Sequence, residues 1–267
     1  MTHRSRALVG ALTLATALAV SGTPADAAGD KAPPCPSGAN IIVSNAKFVT
    51  GTECDDIVIP GPAVGTIKTL GGDDVVDFDG PAVACDGCTA VTISVDLGPG
   101  DDRLAVQRPT RILADGQAGK DVLQADWMVD IGWMSGGADD DRVWTRSPWV
   151  SIAGDRGDDR LDVAAVTPPG PHQWDAFDQQ LIGGPGDDVV STLGARGPRH
   201  RLIWEGMGDD TYLLRHSQRA GGTDRFHADT NANLDPASGV DSATLDPGDI
   251  ATVDALGHLE SFTVAWG

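Results

Sequence analysis

Glutamate is nearly missing from this chain: of its 39 acidic residues only Glu53, Glu205 and Glu260 are glutamate, and aspartate supplies the rest. A merely solvated acidic surface would use both acids, whereas the shorter aspartate side chain suits turns and tight, oxygen-rich sites. Basic residues are scarce too, and the resulting net charge of −20 would repel a phosphate polymer, which excludes nucleic acid as a partner. Aromatic residues make up 5%, too few to build a thick core from large rings. No long amphipathic helical pattern is present, and beyond the first twenty residues no stretch is apolar enough to span a bilayer. The H-E-x-x-H, G-x-S-x-G and Walker patterns are absent and the six histidines are scattered, so no catalytic class is assigned.

The start of the chain bears on its destination. His3, Arg4 and Arg6 form a basic beginning, residues 7–20 are apolar, and Ala25-Asp26-Ala27 has the form of a cleavage site. This predicts a secretory signal peptide over residues 1–27 and an exported, extracellular product without a membrane span. Four cysteines in an exported chain imply disulfides, with three pairings possible on paper. The reading adopted joins Cys35 to Cys54, tying the leading segment to the first repeat, and Cys85 to Cys88 across the Asp86-Gly87 turn. The C-x-x-C spacing also occurs in redox and zinc sites, but no βαβ pattern surrounds it and no further ligands lie close by.

What the chain has in abundance is one repeated turn. Leu181 to Ser191 reads L-I-G-G-P-G-D-D-V-V-S, in which Gly183, Gly184, Gly186, Asp188 and Val190 fill every fixed position of the nonapeptide G-G-x-G-x-D-x-U-x. Aligning on the last aspartate of each turn gives Asp56, Asp74, Asp102, Asp121, Asp141, Asp159, Asp188 and Asp210, at intervals of 18, 28, 19, 20, 18, 29 and 22 residues. Two places after each stands Val58, Val76, Leu104, Leu123, Val143, Leu161, Val190 or Tyr212; seven places before, from Asp74 onward, stands Ile67, Val95, Ala114, Met134, Ile152, Leu181 or Ile203. These two columns predict two inward-facing strands per coil, one following a glycine-aspartate turn and one following a plain turn. Gly98-Pro99-Gly100-Asp101-Asp102 and Gly206-Met207-Gly208-Asp209-Asp210 lack only the first glycine; the turns with Gly116, Gly119 and Asp121, and with Gly154, Gly157 and Asp159, each replace one. Further departures are Asp139 before Asp141, Cys54 before Asp56, and a shortened turn at Leu70 to Asp74.

The pattern resembles the haemolysin-type calcium-binding (RTX) repeats over Gly51 to about Tyr212. The resemblance implies an all-β, right-handed parallel β-roll or β-solenoid, with calcium-binding turns along one side and terminal caps. Several Ca²⁺ ions would be held by Asp74, Asp102, Asp121, Asp141, Asp159, Asp188 and Asp210 with carbonyl oxygens of the glycine turns. Many proteins of that family leave the cell by a C-terminal signal, so this chain's leader departs from the family's route. The organisation expected is a signal peptide (1–27), a lead-in and capping strand (28–50), the roll (51–215), and a degenerate repeat with C-terminal cap (216–267), the last with a degenerate turn at 221–226 and a strand over 259–264. Asp246 and Asp249 suit either a further ion or ordinary loop chemistry.

The role expected is non-catalytic, structural or interactive, with calcium as the ligand and an extracellular polysaccharide or protein as a possible partner class. An alternative is a carbohydrate-binding or lyase- or epimerase-like β-helix. Arg103, Arg142 and Arg160, each one place after a motif aspartate, should form an outward row that either meets substrate or offsets the acidic edge. Trp127, Trp133, Trp144 and Trp149 either stack on sugar or pack in the fold. His172 and Trp174 lie in the longer insertion 167–177; it and the insertion holding Cys85 and Cys88 should leave the roll on the edge away from calcium.

Overall fold

The computed structural model describes residues 35–78, 92–107, 110–126, 131–164, 179–192, 200–204, 206–213, 223–227, 242–245 and 261–264. The expected leader, the Cys85 and Cys88 pair, Trp127, the 167–177 insertion with His172 and Trp174, and Asp246 and Asp249 lie outside these residues. In chain order the strands begin with β1 (Asn40–Ser44), β2 (Phe48–Thr50), β3 (Asp56–Pro60), β4 (Thr66–Lys68), β5 (Val75–Phe78), β6 (Thr92–Asp96) and β7 (Arg103–Val106). They continue with β8 (Arg111–Ala118), β9 (Val122–Ala125), β10 (Ile131–Ala138), β11 (Arg142–Thr145), β12 (Val150–Arg156), β13 (Arg160–Val163) and β14 (Gln179–Ile182). The last are β15 (Val189–Ser191), β16 (His200–Trp204), β17 (Thr211–Leu213), β18 (Thr223–His227), β19 (Ser242–Leu245) and β20 (Ser261–Val264).

From β1 to β19 the odd-numbered strands pair successively in one parallel sheet, which β20 extends; the even-numbered strands from β2 to β18 form a second parallel sheet. Each coil places one strand in each sheet, and about seven coils stack into a parallel β-solenoid. Among the described residues there is no helix, and none long and apolar enough to cross a membrane.

Stacking preserves the two columns read from the sequence. Val76 pairs Leu104, Leu104 pairs Leu123, Leu123 pairs Val143, and Val190 pairs Tyr212. In the second sheet Val95 pairs Ala114, Met134 pairs Ile152 and Leu181 pairs Ile203. Every one of these residues is buried. Strand periodicity brings in further positions two places away, including Ile93, Ile112, Val106 and Val163. The core is thus a narrow stack of aliphatic rungs, and long-range pairing carries it from coil to coil.

Two departures concern the ends. Residues 40–50, expected as one capping strand, form β1 and β2, one in each sheet, so they make a coil of their own. The break falls at Asn45 and Ala46, where the Ser44 hydroxyl accepts the Ala46 N–H at 3.1 Å and turns the chain before Lys47. The segment read as a degenerate turn at 221–226 is largely β18, because its backbone pairs with β16 from His200 to Trp204. The Cys35–Cys54 disulfide is formed, closing the leading segment onto the first glycine-aspartate turn.

A row of buried aspartates

Every turn from Asp74 to Asp188 bends the same way. The residues four and two places before the aspartate have positive φ, as at Gly184 (126°) and Gly186 (143°) before Asp188. Glycine suits both positions, and at Gly186 a Cβ would also strike the Gly157 carbonyl of the coil below. The same bend survives where glycine is replaced: Leu70 (81°) and Gly72 (113°) precede Asp74, so that turn is not shortened, and Asp139 (79°) holds the place of the motif's last glycine. Gly98, Gly100, Gly119, Gly157 and Gly208 occupy the same two positive-φ columns. A third column meets the carboxylates directly: a Cβ on Gly116, Gly154 or Gly183 would run into Oδ2 of Asp121, Asp159 or Asp188.

This geometry drives the motif aspartates inward. Asp56, Asp74, Asp102, Asp121, Asp141, Asp159, Asp188 and Asp210 are all at most 3% exposed. From Asp74 onward each accepts, through Oδ1, the backbone N–H of its counterpart one coil earlier: Asp74 from Asp56 at 2.7 Å, Asp102 from Asp74 at 2.7 Å, Asp121 from Asp102 at 2.8 Å and Asp141 from Asp121 at 2.7 Å. The series continues with Asp159 from Asp141 at 2.7 Å, Asp188 from Asp159 at 2.8 Å and Asp210 from Asp188 at 2.8 Å. The expected site residues are therefore brought into one line.

The second oxygen of each carboxylate decides what the line can do. Oδ2 of Asp74, Asp102, Asp121, Asp141, Asp159 and Asp188 is buried with no hydrogen-bond partner. A buried, unpaired carboxylate oxygen is among the costliest arrangements a fold can hold. The electrostatics follow: desolvation first, and then repulsion from neighbouring aspartates, pushes Asp74 and Asp159 up to about 6, Asp121 to about 7, and Asp102, Asp141 and Asp188 to about 8. Backbone hydrogen bonds pull the other way and lose.

At Asp56 the arrangement differs. The Thr52 N–H donates to Asp56 Oδ2 at 2.6 Å and the Thr52 hydroxyl lies 3.2 Å from it. At Asp210, Oδ2 accepts the Tyr212 hydroxyl at 2.9 Å and the Gly206 N–H at 3.3 Å.

Sequence reasoning missed a second, exposed row. The aspartate just before each motif aspartate accepts from the following coil: Asp73 N–H to Asp55 Oδ1 at 3.0 Å, Asp101 to Asp73 at 3.0 Å, Asp187 to Asp158 at 2.9 Å and Asp209 to Asp187 at 2.8 Å. The repeated Asp-Asp pair was the available signal. Lys120 stands in this row: its N–H donates to Asp101 Oδ1 at 2.9 Å, and in place of a carboxylate it brings an ammonium that pairs with Asp140.

Other expectations resolve less symmetrically. Arg142 pairs in register with Arg160, but Val122 separates them from Arg103. Asp162 accepts two hydrogen bonds from Arg160 and lies 3.9 Å from Arg142, so both cations face a carboxylate on the outer surface. Trp149 is buried, and the Arg146 guanidinium lies over the Trp144 ring at 5.4 Å. Among the described residues no three His, Cys, Asp or Glu side chains are grouped to hold a metal ion. The row offers single carboxylates one coil apart, so any cation there needs main-chain oxygens to complete its shell. No protein-family model matches the chain, and no curated protein or solved structure is significantly similar to it.

Proposed function

We propose that the buried aspartate row is a calcium array that holds the solenoid together, and that the protein is an exported, non-catalytic calcium-binding protein resembling the RTX repeats. The observation that carries this reading is the set of six buried Oδ2 atoms left without partners in a single line. A divalent cation beside them would replace repulsion between rungs with attraction and satisfy each orphaned oxygen. The donors are all oxygen, from Asp74, Asp102, Asp121, Asp141, Asp159 and Asp188 and from carbonyls of the glycine turns. That chemistry suits a hard cation, and an irregular shell rich in carbonyls suits Ca²⁺ better than Mg²⁺, which demands near-octahedral geometry. Calcium, when bound, supplies charge and coordination rather than a reactive centre.

The thin core gives the ions their importance. Ordering the backbone costs roughly 1–2 kcal/mol per residue, and small aliphatic rungs offset that narrowly. An ion at ten times its dissociation constant contributes about 1.4 kcal/mol per site. The leader expected from the sequence and the Cys35–Cys54 disulfide suit an extracellular setting, where weak, millimolar calcium sites are filled.

Circular dichroism during a calcium titration at pH 8 tests the reading. β signal that develops with Ca²⁺ and is lost in chelator is the expected result; identical spectra with and without metal would refute it.

A further inference from the structure

We infer that Thr52 and Tyr212 close the row at Asp56 and Asp210, confining cations to the six positions from Asp74 to Asp188. This rests on the calcium reading and concerns which rungs take part. All eight aspartates are buried alike, so burial does not separate the two groups. The state of Oδ2 does. In six it is orphaned; at Asp56 and Asp210 it is engaged by neutral donors from the turn or the strand that follows it.

The two closures share an N–H donated from four places before the aspartate and differ in the hydroxyl that joins it. At the N-terminal side Cys54 stands two places before Asp56, where the later turns have a positive-φ residue, and its disulfide to Cys35 fixes the turn. Thr52 then reaches the carboxylate with its N–H at 2.6 Å and with its hydroxyl, which lies 3.2 Å from Oδ2 and 3.3 Å from Oδ1. That hydroxyl is itself held by the Asn40 side-chain amide at 3.1 Å, from the first coil. At the other side the closing group is the only tyrosine in the chain. It occupies the inward column two places after the aspartate, where every other turn has Val or Leu, and its ring fills the core while its hydroxyl bends back 2.9 Å to Asp210 Oδ2. An aliphatic residue there could not reach the oxygen.

The physical sense lies in what a rung needs. An interior carboxylate sits between two coils that each carry a glycine-aspartate turn. Asp56 has below it the Asn40 coil, which lacks the motif. A neutral donor satisfies such an end carboxylate without requiring a half-built shell.

Bound calcium per chain, counted by equilibrium dialysis and atomic emission on the full chain, tests this. Tyr212→Phe keeps the ring and removes the hydroxyl; it is expected to bind one more Ca²⁺ than wild type, and Tyr212→Phe with Asp210→Asn is expected to lose that gain. Asp210→Asn and Asp56→Asn alone should leave the wild-type count unchanged, while Asp188→Asn lowers it by at least one. An unchanged count in Tyr212→Phe, or an ion lost in Asp210→Asn, overturns the closure while leaving the calcium array standing. A wild-type count of zero overturns both.

Discussion

Acid should fold this protein without metal, and neutral pH should not. In the metal-free chain the six interior carboxyls are raised to between about 6 and about 8 from an ordinary 3.8. Because the folded-state value lies above the unfolded one, the folded chain holds more protons through the interval, and stability falls as pH rises. The contribution is intact below about pH 4 and is lost as pH climbs through about 6 to 8. At 1.36 kcal/mol per pH unit, ionising Asp74 or Asp159 in the fold costs about 3 kcal/mol and ionising Asp102, Asp141 or Asp188 about 6 kcal/mol. The rungs titrate together, so these costs do not simply add. The larger of them alone already falls within the roughly 5–15 kcal/mol that holds a typical domain. Thermal melts followed by circular dichroism in chelator should give a folded protein near pH 5 whose melting temperature drops steeply toward pH 8, with millimolar Ca²⁺ abolishing the drop. General repulsion in a chain of net charge −20 acts in the same direction, and neutral variants separate the two. Asp141→Asn should raise the metal-free melting temperature at pH 8, whereas Asp187→Asn, on the exposed row, should change it little. A metal-free melting temperature that is flat or rises from pH 5 to pH 8 would refute the reasoning.

Calcium binding at pH 6.5 should release protons, because carboxyls held neutral by burial must ionise to become ligands. Calorimetric titrations in buffers of different ionisation enthalpy should therefore give different apparent heats; equal heats would argue against ionisation on binding. Gly186→Ala should destabilise the fold by at least about 1–3 kcal/mol, since φ is 143° there and the new Cβ meets the Gly157 carbonyl. That is a fall of several degrees in melting temperature, and an unchanged value would contradict the turn geometry. Reducing Cys35–Cys54, which spans 19 residues, should cost about 3 kcal/mol by loop entropy, read as a shift in the urea midpoint.

The solenoid was legible because its period is written twice in each coil. The aliphatic or aromatic residues two places after and seven places before each aspartate keep register whatever the insertion between coils, and the structure buries both columns throughout. The bends at Leu70 and Gln117 were less visible, since neither is a residue that marks positive φ. Those bends persist because neighbouring turns and the ladder above and below hold them, which is a property of the stack rather than of the local sequence. For the same reason β1 and β2 read as one strand: Ile41, Ile42, Val43, Phe48 and Val49 look continuous until Ser44 turns the chain between sheets. Within the row, Asp188 and Asp210 carry nearly the same motif, and what distinguishes them is that the Tyr212 hydroxyl and the Gly206 N–H reach Oδ2 of Asp210.

Calcium located directly is the sharpest test of the account. Anomalous diffraction from crystals grown in Ca²⁺ should place ions in one line, each in contact with Oδ2 of an aspartate between Asp74 and Asp188. Ions found only on the exposed row of Asp73, Asp101, Asp158 and Asp187, or none near the buried oxygens, would contradict it.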